Sequence, residues 1–364
     1  MKEEFTEKLR LNKKNQEQLE VINSIIEEYA RDGYVLTLRQ LYYQLVSRDI
    51  IPNEQKEYAK LSTLLVKGRM AGVVDWDAIE DRIRVPNIPY SVDDIEDAIQ
   101  DTIDQYRLNR QDGQDVYIEL WVEKDALSGV LKRITHYYHI NLMVNRGYSS
   151  CTAMHDAYER FVKKVAEGKK VVVLYLGDHD PSGLDMVRDI TDRTREFLIN
   201  SDELHELWHE KCMANNGNGT DDVSSLRGEL EEEYLEYSDE KEKRQNEFIM
   251  DEDGDLFPNF AKMYACKLFD EQVEIRQIGL TTEQVKQYAP PPNPAKITDP
   301  RAKNYIAQFG NTSWEVDALK PEILHSLVRE GVEGLIDMKL FKDQIKKEES
   351  DKGKLKKFFK EKKK

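Results

Sequence analysis

The sequence predicts an α/β protein: a doubly wound parallel sheet preceded by a small helical module of winged helix-turn-helix type. Three observations carry this. Apolar, β-favouring runs at 116–122, 140–144 and 170–176 alternate with helical patterns at 126–138 and 152–165, the rhythm of parallel strands joined by crossover helices. The run at 170–176 ends in six residues without polar alternation, which suits a strand buried on both faces. Three helical patterns fill the first 70 residues, ahead of any strand.

Taken in order, residues 1 to about 30 carry Leu9, Leu19, Ile22, Ile25 and Ile26 on one side of a helix that Gly33 ends. Thr37, Leu38, Arg39 and Gln40 have the form of a capping box and open a second helix that stops before Pro52. A third, from about 54 to 70, sets Lys56, Lys60, Lys67 and Arg69 beside Tyr58, Leu61, Leu64 and Leu65. With the following Val73, Val74, Asp75 and Trp76 and the charged segment to Tyr90, these fit a winged helix-turn-helix whose third helix lies against DNA. A plain helical bundle with a solvated face has the same charge pattern. The first domain is therefore placed at 1–110, its last part an acidic amphipathic helix at 91–110, and a sheet domain at 115–340.

Within the second domain the composition shifts at about 201–255. Polar NNGNGTDD, a charged helical pattern from Gly228 to Gln245 and the acidic 251–255 read as an insertion, with the sheet resuming at 273–278. The glycine of 251–255 sits at the wrong place for an EF-hand loop. Pro290, Pro291 and Pro292 begin a rigid connector, the stretch from Ser313 reads as a strand leading to a helix opened by Pro321, and 341–364 is a basic tail for which a charged, disordered end is the default.

Composition narrows the function classes. A net charge of −16 argues against a chain that coats nucleic acid all over, so DNA contacts must come from local basic patches. Cys151, Cys212 and Cys266 lie far apart and form neither a zinc spacing nor a disulfide framework, which fits a reducing cytoplasm. The N-terminus has no apolar core for a signal peptide, and no apolar run approaches membrane-spanning length, so the expectation is a cytoplasmic, nucleoid-associated protein with no membrane contact.

The chemistry gathers where strands end. After the apolar run 171–176, Gly177 breaks the strand, and Asp178 and Asp180 follow two apart, so extended backbone turns both carboxylates to one side. Glu123 ends the first strand, and parallel strands all finish on the same edge. Two carboxylates on one loop repel unless a cation separates them, and hard oxygen donors suit Mg²⁺. The Asp178 loop alone would also suit a solvated acidic loop or a phosphate-accepting aspartate on a flavodoxin-like sheet; the third acid on the same edge favours the metal.

A glutamate after the first strand and an Asp-x-Asp after a later one resemble the Toprim fold. More narrowly, VEKDA at 122–126 and DHDPSGLDM at 178–186 resemble segments of the A subunit of topoisomerase VI and the related transesterase of meiotic double-strand breaks. That family carries its nucleophile as the second tyrosine of R-x-x-(Y/F)-Y in an N-terminal winged helix, and Arg39-Gln40-Leu41-Tyr42-Tyr43 fits in the same order. The resemblance covers about 37–190 and implies Mg²⁺ held by Glu123, Asp178 and Asp180, with Glu123 also serving catalysis. It further implies Tyr43 as nucleophile, Arg39 favouring the phenolate or holding phosphate, and a 5′-phosphotyrosyl link. Lys60, Lys67, Arg69 and Arg146 are the candidate DNA contacts, and His179, between the aspartates, is expected to face away.

The family also implies double-stranded DNA as substrate and a homodimer in which each site joins the tyrosine of one subunit to the metal acids of the other. No GxxxxGK loop occurs, so strand passage would need a separate ATPase subunit. This chain departs from the family where a Gly-x-Pro segment is usual, having Arg146-Gly147-Tyr148-Ser149-Ser150, which marks it as a divergent member. Two other readings stay open. A Toprim nuclease would hydrolyse DNA with a metal-activated water and no tyrosine, and in a DNA-binding structural protein the acids would only stabilise the fold. Helical tyrosines are otherwise most often core.

Overall fold

The structure, a computed structural model, describes residues 2, 4–5, 12–81, 88–215, 228, 230, 248–250, 256–297 and 299–362. Helix α1 (Lys13–Arg31) starts where the Asn12 side chain accepts from Asn15 N, and α2 (Leu38–Ser47) starts at the capping box of Thr37 and Gln40. With α3 (Gln55–Met70) they bury Leu19, Ile22, Leu41, Leu45, Leu61 and Leu65 in one core. After α3 the described residues form isolated bridges, Leu36 with Ile79 and Glu4 with Ala71, rather than the hairpin of a wing. Residues 82–87 of the predicted wing lie outside the described residues.

Helix α4 (Ile95–Gln105) leads to the sheet domain, where β1 (Val116–Val122), α5 (Ser128–Tyr138), β2 (Asn141–Val144), α6 (Cys151–Ala166) and β3 (Lys170–Leu176) alternate as predicted. Then come α7 (Pro181–Ile199), α8 (Asp202–Asn215), the antiparallel pair β4 (Phe248–Met250) and β5 (Leu256–Pro258), α9 (Phe260–Gln272) and β6 (Val273–Gly279). The short α10 (Thr282–Tyr288), β7 (Asn293–Pro294), α11 (Ala302–Phe309) and β8 (Thr312–Ser313) follow, then α12 (Pro321–Glu333) and α13 (Met338–Lys362). Most of the predicted polar loop and charged helix, and all of 251–255, lie outside the described residues.

Four parallel strands pair in the order β2-β1-β3-β6, a mixed α/β architecture. The period-two alternation of strand side chains divides the core in two. Ile118, Leu120, Val122, Val172, Leu174 and Leu176 pack with Val130, Leu131, Leu324 and Val328 of α5 and α12 on one face. Trp121, Val171, Val173 and Tyr175 pack with Phe161 of α6, Met186 and Ile190 of α7, and α9 on the other. Each large apolar side chain so buried stabilises by about 1.5–3 kcal/mol, which explains why β3 reads as unbroken apolar sequence. Among the described residues, no helix is long and apolar enough to cross a membrane.

The predicted disordered tail is instead helix α13. Two anchors hold it: Phe341, 1% exposed, packs on Tyr137 and Tyr138, and Glu348, 3% exposed, pairs with Arg110 at 3.2 Å and accepts from Leu108 N. Lysine-rich sequence forms helix readily once one turn is fixed, and both anchors lie before the basic stretch.

Candidate active site at the sheet edge

The order β2-β1-β3 places the reversal of winding between β1 and β3, and the crevice beyond the carboxyl ends of such strands is where open α/β sheets bind ligands. Glu123 and Asp178 follow these two strands, and Asp178 N donates to Glu123 Oε2 at 3.2 Å. Asp180 N-caps α7, its Oδ1 accepting from Gly183 N at 2.7 Å and Ser182 Oγ at 2.8 Å. Pro181 fills the first helical turn, where its missing N–H costs nothing. Gly183 is required by space, since a Cβ there would overlap the Asp178 carbonyl oxygen. Gly183→Ala is expected to push the aspartate loop outward and cost about 1–3 kcal/mol, read from the denaturant midpoint.

His179 points away from the acids. Its ring bonds Tyr305 OH at 2.9 Å and Thr282 Oγ1 at 3.0 Å, and its backbone pairs with Trp314 in both directions. That pairing lays 314–317 beside the aspartate loop, where Val316 N donates to Asp178 Oδ1 at 2.9 Å. Two acids that sequence reasoning left in a structural stretch, Glu315 and Asp317, thereby enter the site. Their spacing, two apart like Asp178 and Asp180, marks them as a pair but does not place them at this edge.

Lys124 joins the two acidic loops. Its Nζ lies 2.7 Å from Asp178 Oδ2, 2.9 Å from Glu315 Oε2 and 3.3 Å from Asp317 Oδ1. Arg39 Nε reaches Asp317 Oδ2 at 2.6 Å, its guanidinium also pairs with Glu315, and Tyr43 OH donates to Glu315 Oε2 at 2.7 Å. Arg39 further lies over the Tyr43 ring, 5.6 Å from its centroid, one helical turn away. The chain Tyr43–Glu315–Lys124–Asp178 thus links the helical module to the sheet edge within a single chain. The resemblance instead pairs the tyrosine of one subunit with the acids of another.

Electrostatics sort these groups. Burial, with Glu123 and Asp317 close by, pushes Asp178 up to about 7 despite Lys124, and burial raises Glu123 as well. Burial also opposes the charge of Glu315, but Lys124 and Arg39 hold it well down, at about 2. Burial works against Lys124 too, and Asp317, Asp178 and Glu315 more than offset it. The Tyr43 phenol is pushed far above its ordinary value, by burial first and then by Glu315 and Asp317, so it is a hydrogen-bond donor here and not a phenolate.

The three predicted metal acids are neighbours without closing around one point. Lys124 occupies Asp178 Oδ2, Asp180 Oδ1 serves the helix cap, and among the described residues no trio of His, Cys, Asp or Glu stands close enough to hold an ion. In chemistry the set still fits a hard divalent cation. All its donors are carboxylate oxygens, and the burial that raises Glu123 and Asp178 is a cost to their charged forms that a bound cation would offset.

The candidate DNA contacts divide. Lys60 and Lys67 are exposed and line, with Lys14, a groove of about 880 Å³ along α1 and α3, Lys60 also pairing with Glu57. Arg69 is half-buried: its Nη2 donates to the Trp76 and Ile79 carbonyls and its guanidinium lies over the Trp76 ring, so it secures the end of α3. The sequence pattern could not separate it from its exposed neighbours. Arg146 lies at the mouth of the acid site, its N donating to Glu123 O at 2.9 Å and its side chain 69% exposed. No protein-family model, no curated protein and no solved structure matches the chain.

Proposed function

We propose that the chain is a Mg²⁺-dependent DNA-cleaving enzyme of Toprim type that uses Tyr43 as nucleophile, in the manner of the topoisomerase VI A subunit, with its N-terminal helices as a winged-helix DNA-binding module. The observation that carries the reading is the carboxylate shared by Tyr43 and Lys124: Glu315 Oε2 accepts from the phenol at 2.7 Å and from the ammonium at 2.9 Å, with Asp178 on the other side of that ammonium. The phenol and the sheet-edge acids are therefore parts of one charge network, and solitary core tyrosines have no such connection.

Glu123, Asp178 and Asp180 would hold the metal, which when bound would neutralise charge at the scissile phosphate and the departing oxygen. The chain's own residues supply the rest. Glu315 orients the phenol, and Arg39 and Lys124 are the cations that a phosphate would engage. Attack by the Tyr43 oxygen forms a P–O bond as the bond to the 3′ oxygen breaks, and the phenolic proton ends on that oxygen. The product is a 5′-phosphotyrosyl link and a 3′-hydroxyl, and because the link keeps the energy of the broken bond, rejoining needs no nucleotide. Duplex DNA, a second copy of the chain and a separate ATPase subunit are the partners that this reading implies.

One observation favours hydrolysis instead. The phenol is buried and held protonated, which suits a tyrosine that only positions Glu315 while a metal-bound water attacks. Supercoiled DNA incubated with the protein and Mg²⁺, then denatured in detergent, separates the two. The tyrosine mechanism gives protein attached to 5′ ends, and Tyr43→Phe, which keeps the ring, abolishes both attachment and cleavage. Free 5′-phosphates that survive in Tyr43→Phe would establish hydrolysis, and no cleavage under any condition would leave the acids a structural role.

A further inference from the structure

We propose that the loop after β2 and the segment before α11 form a nucleic-acid rim in which Tyr148 stacks on an unpaired base beside the acid site. The DNA-cleavage reading supplies only the choice of ligand. Tyr148 is built as a platform: its hydroxyl donates to Asp185 Oδ2 at 2.6 Å, and the Arg301 guanidinium lies over its ring, 5.2 Å from the centroid. Arg301 is itself fixed, by Asp299 at 2.8 Å and Asp185 at 2.9 Å. A tyrosine that is pinned at its hydroxyl and on one face yet 40% exposed has already lost the rotamer freedom that stacking would remove. Bases stack on such rings irrespective of sequence.

The surroundings suit a phosphate backbone. Arg146 and Lys296 flank the acids, Arg146 bonded through its backbone to Glu123 and Lys296 Nζ 3.6 Å from Asp180 Oδ2, with side chains 69% and 73% exposed. They are local cations on a chain of net charge −16. Next to Arg146 in the chain, the Asn145 side-chain amide is buried with neither its nitrogen nor its oxygen hydrogen-bonded. A fully paired duplex offers no base face to Tyr148, so the preferred substrate has unpaired nucleotides next to the cleavage position.

The test is fluorescence anisotropy of the full-length protein with a labelled single-stranded oligonucleotide and its duplex, in EDTA so that cleavage plays no part. Wild type is expected to bind the single strand more tightly. Tyr148→Ala should weaken single-strand binding about tenfold and leave duplex binding unchanged. Tyr148→Phe, which keeps the ring under Arg301 and loses only the bond to Asp185, should retain most of the single-strand binding and lose far less than Tyr148→Ala. Arg146→Ala and Lys296→Ala should weaken both forms, each lowering the salt slope by about one phosphate contact. Tyr148→Ala binding the single strand like wild type, or weakening both forms alike, overturns the platform, as does a protein that binds neither form. Tyr148-dependent binding without any cleavage in Mg²⁺ would support the platform and remove the strand-cleavage reading.

Discussion

In Asp178→Asn, DNA cleavage is expected to fall about a thousandfold or more, the equivalent of about 4 kcal/mol of transition-state stabilisation, while the metal-free protein becomes more stable at pH 8. The two halves share one cause. Asp178 is 4% exposed and its folded-state pKa is raised to about 7, so the fold disfavours its charge. A raised pKa means that this carboxyl contributes stability below its ordinary range, near 4, and that the contribution is lost as pH rises through about 7. Asparagine keeps the shape without the charge and removes that slope, and Lys124 retains Glu315 and Asp317 as partners. Mg²⁺ should reverse the order: at pH 8 it raises the wild-type midpoint by a few degrees and leaves the variant where it was. At pH 5, where Asp178 holds its proton, the metal should stabilise neither. Thermal melts of both proteins at the two pH values, with and without Mg²⁺, would decide this. Equal Mg²⁺ stabilisation of the variant would mean that the ion binds elsewhere.

What sequence could show, and what it could not, follows from range. The strands at 116–122 and 170–176 and the capping box at Thr37 and Gln40 are local patterns, and the structure has them at those positions. The neighbourhood of Glu123 and Asp178 was also legible, because parallel strands end on a common edge. Glu315 and Asp317 were not, since their place depends on Trp314 pairing with His179 across more than a hundred residues of intervening chain. The bond from Tyr43 to Glu315 has the same long-range origin. Arg69 and Lys67 look alike in sequence, yet only Arg69 meets the carbonyls of Trp76 and Ile79. In the tail, helix propensity was visible, but the burial of Phe341 and Glu348 that fixes it was not.

Arg160→Met should cost about 3–5 kcal/mol at pH 8, the largest stability loss expected of any single substitution proposed for this chain. Glu119, at the centre of β1, is fully buried on the α6 side of the sheet. Arg160 Nε and Nη2 meet its two oxygens at 2.6 and 3.0 Å, while Tyr117 OH, Trp121 Nε1 and Asn141 Nδ2 supply neutral bonds. Burial alone would raise this carboxyl, and Arg160, followed by the Tyr117 and Trp121 hydrogen bonds, more than offsets it, so the folded-state value is lowered. That lowered value stabilises the wild type above the ordinary carboxylate range and is lost as pH falls through it. Without the guanidinium the sign changes: the buried carboxylate keeps only neutral donors, its pKa rises, and the variant gains stability relative to wild type as pH falls. Glu119→Gln in the same chain should recover most of the loss, since an amide needs no counter-charge and its oxygen can still accept from Tyr117 and Trp121. Denaturant midpoints of the two single variants and the double variant at pH 8 and pH 5 give the coupling directly. Additive losses, or a penalty for Arg160→Met that does not shrink at pH 5, would show that Arg160 acts here by packing and not by charge.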